Sequence, residues 1–293
     1  MRCIAVYGRQ INPEHARAIQ NFLDVLLAKD FEIYVYSELH ANVKSYFSER
    51  SQIKVYSEVS DFPQNAEIVI SIGGDGTLLQ ASVFALECDL PVVGLNTGRL
   101  GFLSAISIEE IEEALDELVK KEFEIDERVL LELAEPQGLF DGTQLALNEF
   151  TLHKKDSSSM ITIHAYLGDE FLNSYWADGL IIATPTGSTA YSLSCGGPII
   201  APGSENFVIT PIAPHNLNVR PIVVPDDREI VLHIEGREDL YLASLDSRNV
   251  SISDGVKIRL KKAQKKLKLA TLPETTYLKT IRKKLSWGLD IRN

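Results

Sequence analysis

The sequence predicts an α/β domain built on a parallel sheet, followed by a β-rich, sandwich-like domain, with the C-terminal segment returning to the first. Three observations predict it. Up to residue 95, strand-like and helix-like patterns alternate, the order that builds a parallel sheet. After Lys121 helical periodicity gives way to many short β-branched or alternating runs, as in packed antiparallel sheets. From Thr275 to Leu285 a helical pattern reappears. The first domain, Rossmann-like, is placed at residues 1–102 with about 275–293, and the second at 103–274.

Ile4-Ala5-Val6-Tyr7-Gly8 reads as a first strand ending in glycine, and Asn12-Pro13 supplies an N-cap and a proline at the first helical position. Ile19, Leu23, Leu26 and Leu27 follow at helical spacing. Phe31 to Tyr36 is a second strand, Ala41 to Phe47 a short helix, and Ile53 to Tyr56, Ile68 to Ile72 and Val92 to Leu95 complete the strands. Ser107-Ile108-Glu109-Glu110 is a capping box before a helix whose face carries Ile108, Ile111, Leu115, Leu118 and Val119.

In the second domain, strands are predicted at Val129 to Ala134, Gln144 to Leu152, Met160 to Leu167, Glu170 to Ala177 and Gly179 to Ala183, with a hairpin turn at Gly168-Asp169. Others run Glu229 to Glu235, Leu240 to Asp246, Val250 to Ser253, Val256 to Leu260 and Leu267 to Ala270. The basic cluster from Lys257 to Lys268 alternates with apolar residues, predicting a hairpin whose lysines guard an edge strand. Pro198 to Pro225 holds six prolines and reads as an irregular crossover.

Composition narrows the function classes. A net charge of −12 over 293 residues argues against a general nucleic-acid binder. No apolar run approaches the ~20 residues of a membrane span, and the start reads as a strand rather than a signal peptide. Cys3, Cys88 and Cys195 are scattered, offer no zinc spacing and suit a reducing cytoplasm.

The chain is organised around Val69-Ile70-Ser71-Ile72-Gly73-Gly74-Asp75-Gly76-Thr77-Leu78-Leu79. A strand, a glycine turn and a helix opening at Thr77 bring several backbone N–H groups to one place, which favours an anion. Glycines let a phosphate approach the backbone where a Cβ would intrude. Asp75 is the odd residue: a carboxylate repels phosphate by roughly 4 kcal/mol per unit charge at about 4 Å in an effective dielectric of about 20. A bound cation, a hydroxyl to be aimed at a phosphoryl group, or plain helix capping would each account for it. The other phosphate-loop templates, Gly-x-x-x-x-Gly-Lys-Ser/Thr and Gly-x-Gly-x-x-Gly, are missing here. A second glycine-bearing strand end, Asn96-Thr97-Gly98-Arg99-Leu100-Gly101-Phe102, belongs to the same sheet edge.

Asp178-Gly179 leads through a strand into Thr184-Pro185-Thr186-Gly187-Ser188-Thr189-Ala190-Tyr191-Ser192-Leu193-Ser194, a loop dense in hydroxyls with one aromatic plate. Such a loop suits ribose and base edges, with tyrosine stacking worth about 1–3 kcal/mol; an ordinary Pro/Gly/Ser turn has the same composition. Asn148-Glu149 could bracket a diol or an exocyclic amine, or be a common surface pair.

Together these segments resemble the NAD kinase family. The resemblance rests on Gly73-Gly74-Asp75-Gly76-Thr77, on Gly94-Leu95-Asn96-Thr97-Gly98 running to Gly101-Phe102-Leu103, on Asn148-Glu149, on Asp178-Gly179 through Gly197-Pro198, and on Pro214-His215-Asn216-Leu217 with Arg220-Pro221-Ile222. The glycine loop alone is shared with diacylglycerol and sphingoid-base kinases; the combination points to the NAD branch. The family implies a cleft between the two domains, transfer of the ATP γ-phosphoryl to the 2′-hydroxyl of the adenosine ribose of NAD, a divalent metal such as Mg2+ held mainly by the ATP phosphates, and a homodimer or homotetramer. By resemblance, Asp75 is the proton acceptor, and Gly73, Gly74, Gly76 and Thr77 bind phosphate. Asp75, Gly76, Asn96, Phe102, Asn148, Glu149, Asp178, Thr186, Thr189, Ala190, Tyr191, Ser192, Leu193, Ser194 and Ala213 contact NAD. Gln80, Ser159, Trp176 and Arg248 depart from the family pattern, which bears on donor and substrate preference. Phosphoryl transfer passes through a loose transition state, so positioning carries more of the rate than proton abstraction. A lipid-type kinase and a non-catalytic nucleotide sensor are the competing readings.

Overall fold

A computed structural model describes residues 3–43, 53–104, 106–120, 122–155, 160–236, 240–273 and 275–288. The chain forms two compact units, Met1–Glu127 with Leu267–Asn293, and Arg128–Lys266. These divisions differ from the predicted 102/103 and 274/275. Ile106, Ile108, Ile111, Ala114, Leu115, Leu118 and Ala270 are buried in the core of the first unit, so the stretches on both sides of the predicted limits belong to it.

The first unit contains β1 (Cys3–Gly8), α1 (Pro13–Ala28), β2 (Glu32–Tyr36), α2 (Ser37–Val43), β3 (Ile53–Tyr56), β4 (Ala66–Ile72), α3 (Asp75–Glu87), β5 (Val92–Asn96), β6 (Ile106–Ser107) and α4 (Ile111–Lys120). Its strands run parallel in the order β3-β2-β1-β4-β5. The order reverses between β1 and β4, where Gly8 lies opposite Ile72; open α/β sheets take their ligands at the carboxyl ends of such strands. Asn12 caps α1 by accepting from the Glu14 amide at 3.4 Å, with Pro13 first in the helix. Ile19, Phe22, Leu23 and Leu26 of α1 are buried, each worth roughly 1.5–3 kcal/mol of transfer free energy. The capping box is present in part: the Ser107 amide donates to Glu110 Oε2 at 3.2 Å. The short helix runs earlier than predicted, and residues 44–47 of that expectation lie outside the described residues.

The strands of the rest of the chain are β7 (Glu124–Glu135), β8 (Leu145–Ala146), β9 (Glu149–Lys154), β10 (Ile161–Leu167), β11 (Glu170–Ala177), β12 (Gly179–Ala183), β13 (Asn206–Ile212), β14 (Ile222–Pro225), β15 (Ile230–Glu235), β16 (Leu240–Leu245), β17 (Arg248–Ser253) and β18 (Lys257–Thr271). The short α5 (Tyr191–Ser194) follows β12, and α6 (Tyr277–Leu285), capped by Thr276, belongs to the first unit. In the second unit β14-β13-β12-β9-β16-β17 form one antiparallel sheet. β11, β10, β15 and the start of β18 pair antiparallel as well. Phe150, Leu180, Ile182, Phe207 and Ile209 of the first set pack with Ile161, Ile163, Leu232, Ile258 and Leu260 of the second in one core.

Three expectations are corrected. Lys257 to Lys268 is not a hairpin on an edge but part of the continuous strand β18, which pairs with β15 and β7. Ala263-Gln264 at its middle offers no turn-forming residue. Its cations meet acids: Arg259 with Glu229 at 2.6 Å, Lys261 with Glu132 at 3.3 Å and Lys262 with Asp226 at 3.0 Å. The proline-rich segment contains β13 and β14; Pro211 lies beyond the Ile209–Ile222 end of the pairing with β14 and opposite Leu180 of β12. Gln144 to Leu152 is split into β8 and β9, because the amides of Leu147, Asn148 and Glu149 turn to a side chain.

Candidate active site

The glycine loop lies at the carboxyl end of β4 in the first unit. Gly73 has φ 150°, and a Cβ there would stand 2.4 Å from Thr77 Oγ1, so the tight turn requires glycine. Its amide donates to the Leu95 carbonyl at 2.9 Å, tying the loop to β5. The amides of Thr77 and Leu78 donate to the Gly74 carbonyl at 3.0 and 3.2 Å. The helix therefore opens at Asp75, two residues before the predicted Thr77. Gly74 and Gly76 are exposed and nothing lies within 4 Å of a Cβ built on either. The result is an open helix N-terminus with unshielded amides, suited to an anion.

Asp75 does not cap its helix. The N-cap position is Gly74, with no side-chain bond, and the Asp75 carboxylate takes amides from the loop after β5. Phe102 N donates to Oδ2 at 2.8 Å, and Leu103 N and Ser104 N donate to Oδ1 at 3.1 and 2.8 Å. An ionised carboxylate has about four acceptor sites; three are taken and one remains, on Oδ2. The loop that supplies the amides is itself held. Asn96, buried, accepts from Gly98 N at 2.7 Å and donates to the Arg99 carbonyl at 2.5 Å. Lys284 of α6 donates to the Leu100 carbonyl, and its Nζ lies 5.8 Å from the Phe102 ring centroid. Gly73, Gly74, Asp75, Gly76, Thr77, Asn96 and Phe102 thus share one place. The neutral Gln80 accepts from the Tyr7 hydroxyl at 3.3 Å.

In the second unit Asn148 and Glu149 open β9. The Asn148 carbonyl accepts from Thr184 N at 2.9 Å, and a Cβ on Gly187 would stand 2.0 Å from that same oxygen, so the hydroxyl-rich loop lies directly on the Asn148 backbone. Thr184 Oγ1 donates to the Leu147 carbonyl at 2.6 Å and accepts from Gly187 N at 3.1 Å. Thr186 is buried and accepts from Arg128 Nη1 at 3.3 Å; Thr189 donates to the Thr186 carbonyl at 3.1 Å. Among the described residues, Glu149 Oε2 is buried without a hydrogen-bond partner. Burial, with the Asp246 carboxylate nearby, pushes the Glu149 carboxyl up to about 8.

Asp178 pairs with Lys154 at 2.6 Å and donates its amide to the Ile212 carbonyl at 2.9 Å, one residue before Ala213. Ala213 has φ 45°, a left-handed backbone that alanine rarely adopts. Tyr191 is 41% exposed, its hydroxyl held above the ordinary tyrosine value by burial first and then by Cys195 and Asp178. Ala190 and Leu193 are half-buried and Ser194 is exposed. Ser192 faces inward, its hydroxyl paired with Thr210 at 2.7 Å. Trp176 is 43% exposed and its ring lies 4.3 Å from that of His215. Ser159 lies outside the described residues. Sequence reasoning passed over Asp246, Lys154 and Arg128. The two-residue turn Asp246-Ser247 between β16 and β17 was the only local signal for the first.

Residues 4–123 match the family described as ATP-NAD kinase N-terminal domain, and residues 147–272 the ATP-NAD kinase C-terminal domain. The chain is 46% identical over 290 residues to the NAD kinase of Cytophaga hutchinsonii, with 99% of each chain covered. It is 44% identical to that of Flavobacterium johnsoniae, again over 99% of both. Yeast NADH kinase complexed with NADH has a similar fold, with a TM-score of 0.86 and 22% identity, covering 100% of this chain and 89% of that one. An NAD kinase from Archaeoglobus fulgidus in complex with ATP matches at a TM-score of 0.73 and 25% identity, over 98% and 99%.

Proposed function

Because this chain belongs to the NAD kinase family and phosphorylates NAD to NADP, we propose that Asp75 aims the 2′-hydroxyl of the adenosine ribose at the γ-phosphorus of ATP. The observation that carries this is the Asp75 carboxylate held by three amides with one acceptor site left on Oδ2. A fixed anion with one vacancy orients a hydroxyl without having to remove its proton early, which a loose transition state does not require. The proton passes to Asp75 as the new P–O bond forms and the bond to the ADP leaving group breaks.

The Gly73–Thr77 loop cradles the donor phosphates at its open helix N-terminus, with Asn96 and Phe102 ordering the neighbouring loop against NAD. ATP as donor is supported by the Archaeoglobus fulgidus relative, whose structure is in complex with ATP. Among the described residues no cluster of three or more His, Cys, Asp or Glu side chains forms a metal site. A Mg2+ ion bound to the triphosphate would neutralise phosphate charge there.

On the second unit Asn148, Glu149, Asp178, Thr186, the run Thr189, Ala190, Tyr191, Ser192, Leu193 and Ser194, and Ala213 form the NAD side. Tyr191 offers its exposed ring for stacking, while Ser192 acts from within the core. Glu149 keeps its proton at neutral pH and so can donate as well as accept, adding no charge against the pyrophosphate. A homodimer or homotetramer, as the resemblance implies, and a reducing, cytoplasmic setting complete the proposal. Cys3, Cys88 and Cys195, scattered and without zinc spacing, support the second.

The deciding experiment is NADP formation from NAD with ATP, other nucleoside triphosphates and polyphosphate, with and without Mg2+, using the wild type and Asp75→Asn. NADP made with ATP by the wild type and lost in the variant is expected. Equal turnover by the variant removes Asp75 from the chemistry.

A further inference from the structure

The entry to β9 is gripped from one distant turn. Leu147 N donates to Asp246 Oδ2 at 2.8 Å, while Asn148 N and Glu149 N donate to Oδ1 at 2.8 and 3.1 Å. Asp246 is half-buried, its carboxyl held above the ordinary aspartate value first by desolvation, and it has φ 52°, a left-handed conformation that aspartate tolerates better than most residues. Two residues on, Arg248 donates to the carbonyls of Leu145, at 2.6 Å, and Thr143, and its guanidinium carbon lies 5.9 Å from the Phe140 ring centroid. One turn therefore holds residues 143–149 by their carbonyls and by their amides.

This arrangement is costly, and a hairpin turn does not need it. The Asp246 carboxylate is desolvated, and the same three amides would have been satisfied in a continuous sheet ladder without any charge. The ladder is given up only between β8 and β9, and the residues freed from it are Leu147 and Asn148, beside Glu149. On the opposite side Thr184 and Gly187 press against the Asn148 backbone with no room for a Cβ at Gly187. Residues 147–149 are left without freedom to shift.

We propose that the Asp246–Arg248 turn is a positioning device for NAD, fixing the backbone from which Asn148 and Glu149 meet the dinucleotide. The inference rests on the assignment of Asn148 and Glu149 to NAD. Arg248, a departure from the family pattern, becomes the second hand of the grip. Asp246 does not touch substrate; it acts through the strand entry, so its loss weakens NAD and leaves the donor alone.

The test is steady-state kinetics of the full chain carrying Asp246→Asn, Arg248→Gln or Asn148→Ala, with KM measured separately for NAD and for ATP. Asp246→Asn is expected to raise KM for NAD about tenfold and Arg248→Gln about threefold, with KM for ATP within about twofold, as befits lost charge-assisted bonds to the backbone that carries Asn148 and Glu149. A purely structural turn would disturb both constants alike or neither, and either result in folded Asp246→Asn overturns the proposal. If Asp246→Asn does not yield folded protein, Arg248→Gln decides by the same split. Asn148→Ala separates the two layers. A raised KM for NAD there, beside an unchanged one in the turn variants, overturns the grip and keeps the site, whereas an unchanged KM for NAD in Asn148→Ala overturns both.

Discussion

Asp75 and Gly101 are fitted to one another: a Cβ on Gly101 would stand 1.9 Å from Asp75 Oδ1. The carboxylate thus occupies the space that any other residue at 101 would fill. Its three amide donors follow immediately, from Phe102 to Ser104. Gly101→Ala is therefore expected to push the carboxylate off its amides. Turnover should fall about 100-fold or more, the scale of a displaced catalytic group, with little change in the circular dichroism spectrum. Wild-type kcat in Gly101→Ala would show that the Asp75 geometry is not needed.

Asp75→Asn keeps the shape but presents an amide –NH2 where two acceptor oxygens now serve backbone N–H groups. NAD binding, measured by calorimetry, should stay within a few-fold, while kcat drops by about 10²–10⁴. A parallel loss of binding would move Asp75 from chemistry to substrate capture.

Tyr191→Ala removes an exposed ring without opening a core cavity, since the side chain is 41% exposed. The dissociation constant for NAD should weaken by ~1–3 kcal/mol through lost stacking. An unchanged constant would mean that the ring faces away from the bases.

Glu149 makes a pH prediction. Its folded value, up to about 8, lies above the unfolded carboxyl value near 4.5. Between these limits the folded state holds a proton that the unfolded chain has lost, so stability is full below about pH 4.5 and declines as pH rises through 8. Glu149→Gln abolishes that slope. Its unfolding midpoint in urea should gain on the wild type between pH 5 and pH 8.5, by roughly 2–4 kcal/mol of unfolding free energy. Parallel profiles for the two proteins would rule out the raised carboxyl.

The parts of the fold carried by local chemistry were legible in the chain. Asn12-Pro13 caps and starts α1, Gly168 turns the β10–β11 hairpin at φ 63°, and the β-branched run before Gly73 forms β4. Lysines alternating with apolar residues were ambiguous, because an edge strand and an interior strand paired with acids share that pattern; Glu229, Glu132 and Asp226 reside in other strands or turns. In the site, the glycine loop and Asn148-Glu149 were visible as motifs. What holds them was not. Asp75 finds its donors 27 to 29 positions ahead, and no periodicity encodes a carboxylate that satisfies amides in a remote loop.

The reach of Asp246 also sets an order of assembly. Its partners precede it by 97 to 99 positions, a contact of high sequence separation whose closure entropy must be met late. A nascent chain that ends before the Asp246 turn has Asn148 held from the Thr184–Gly187 side alone. Prematurely terminated translation products ending before that turn should therefore hold NAD more weakly than the full chain.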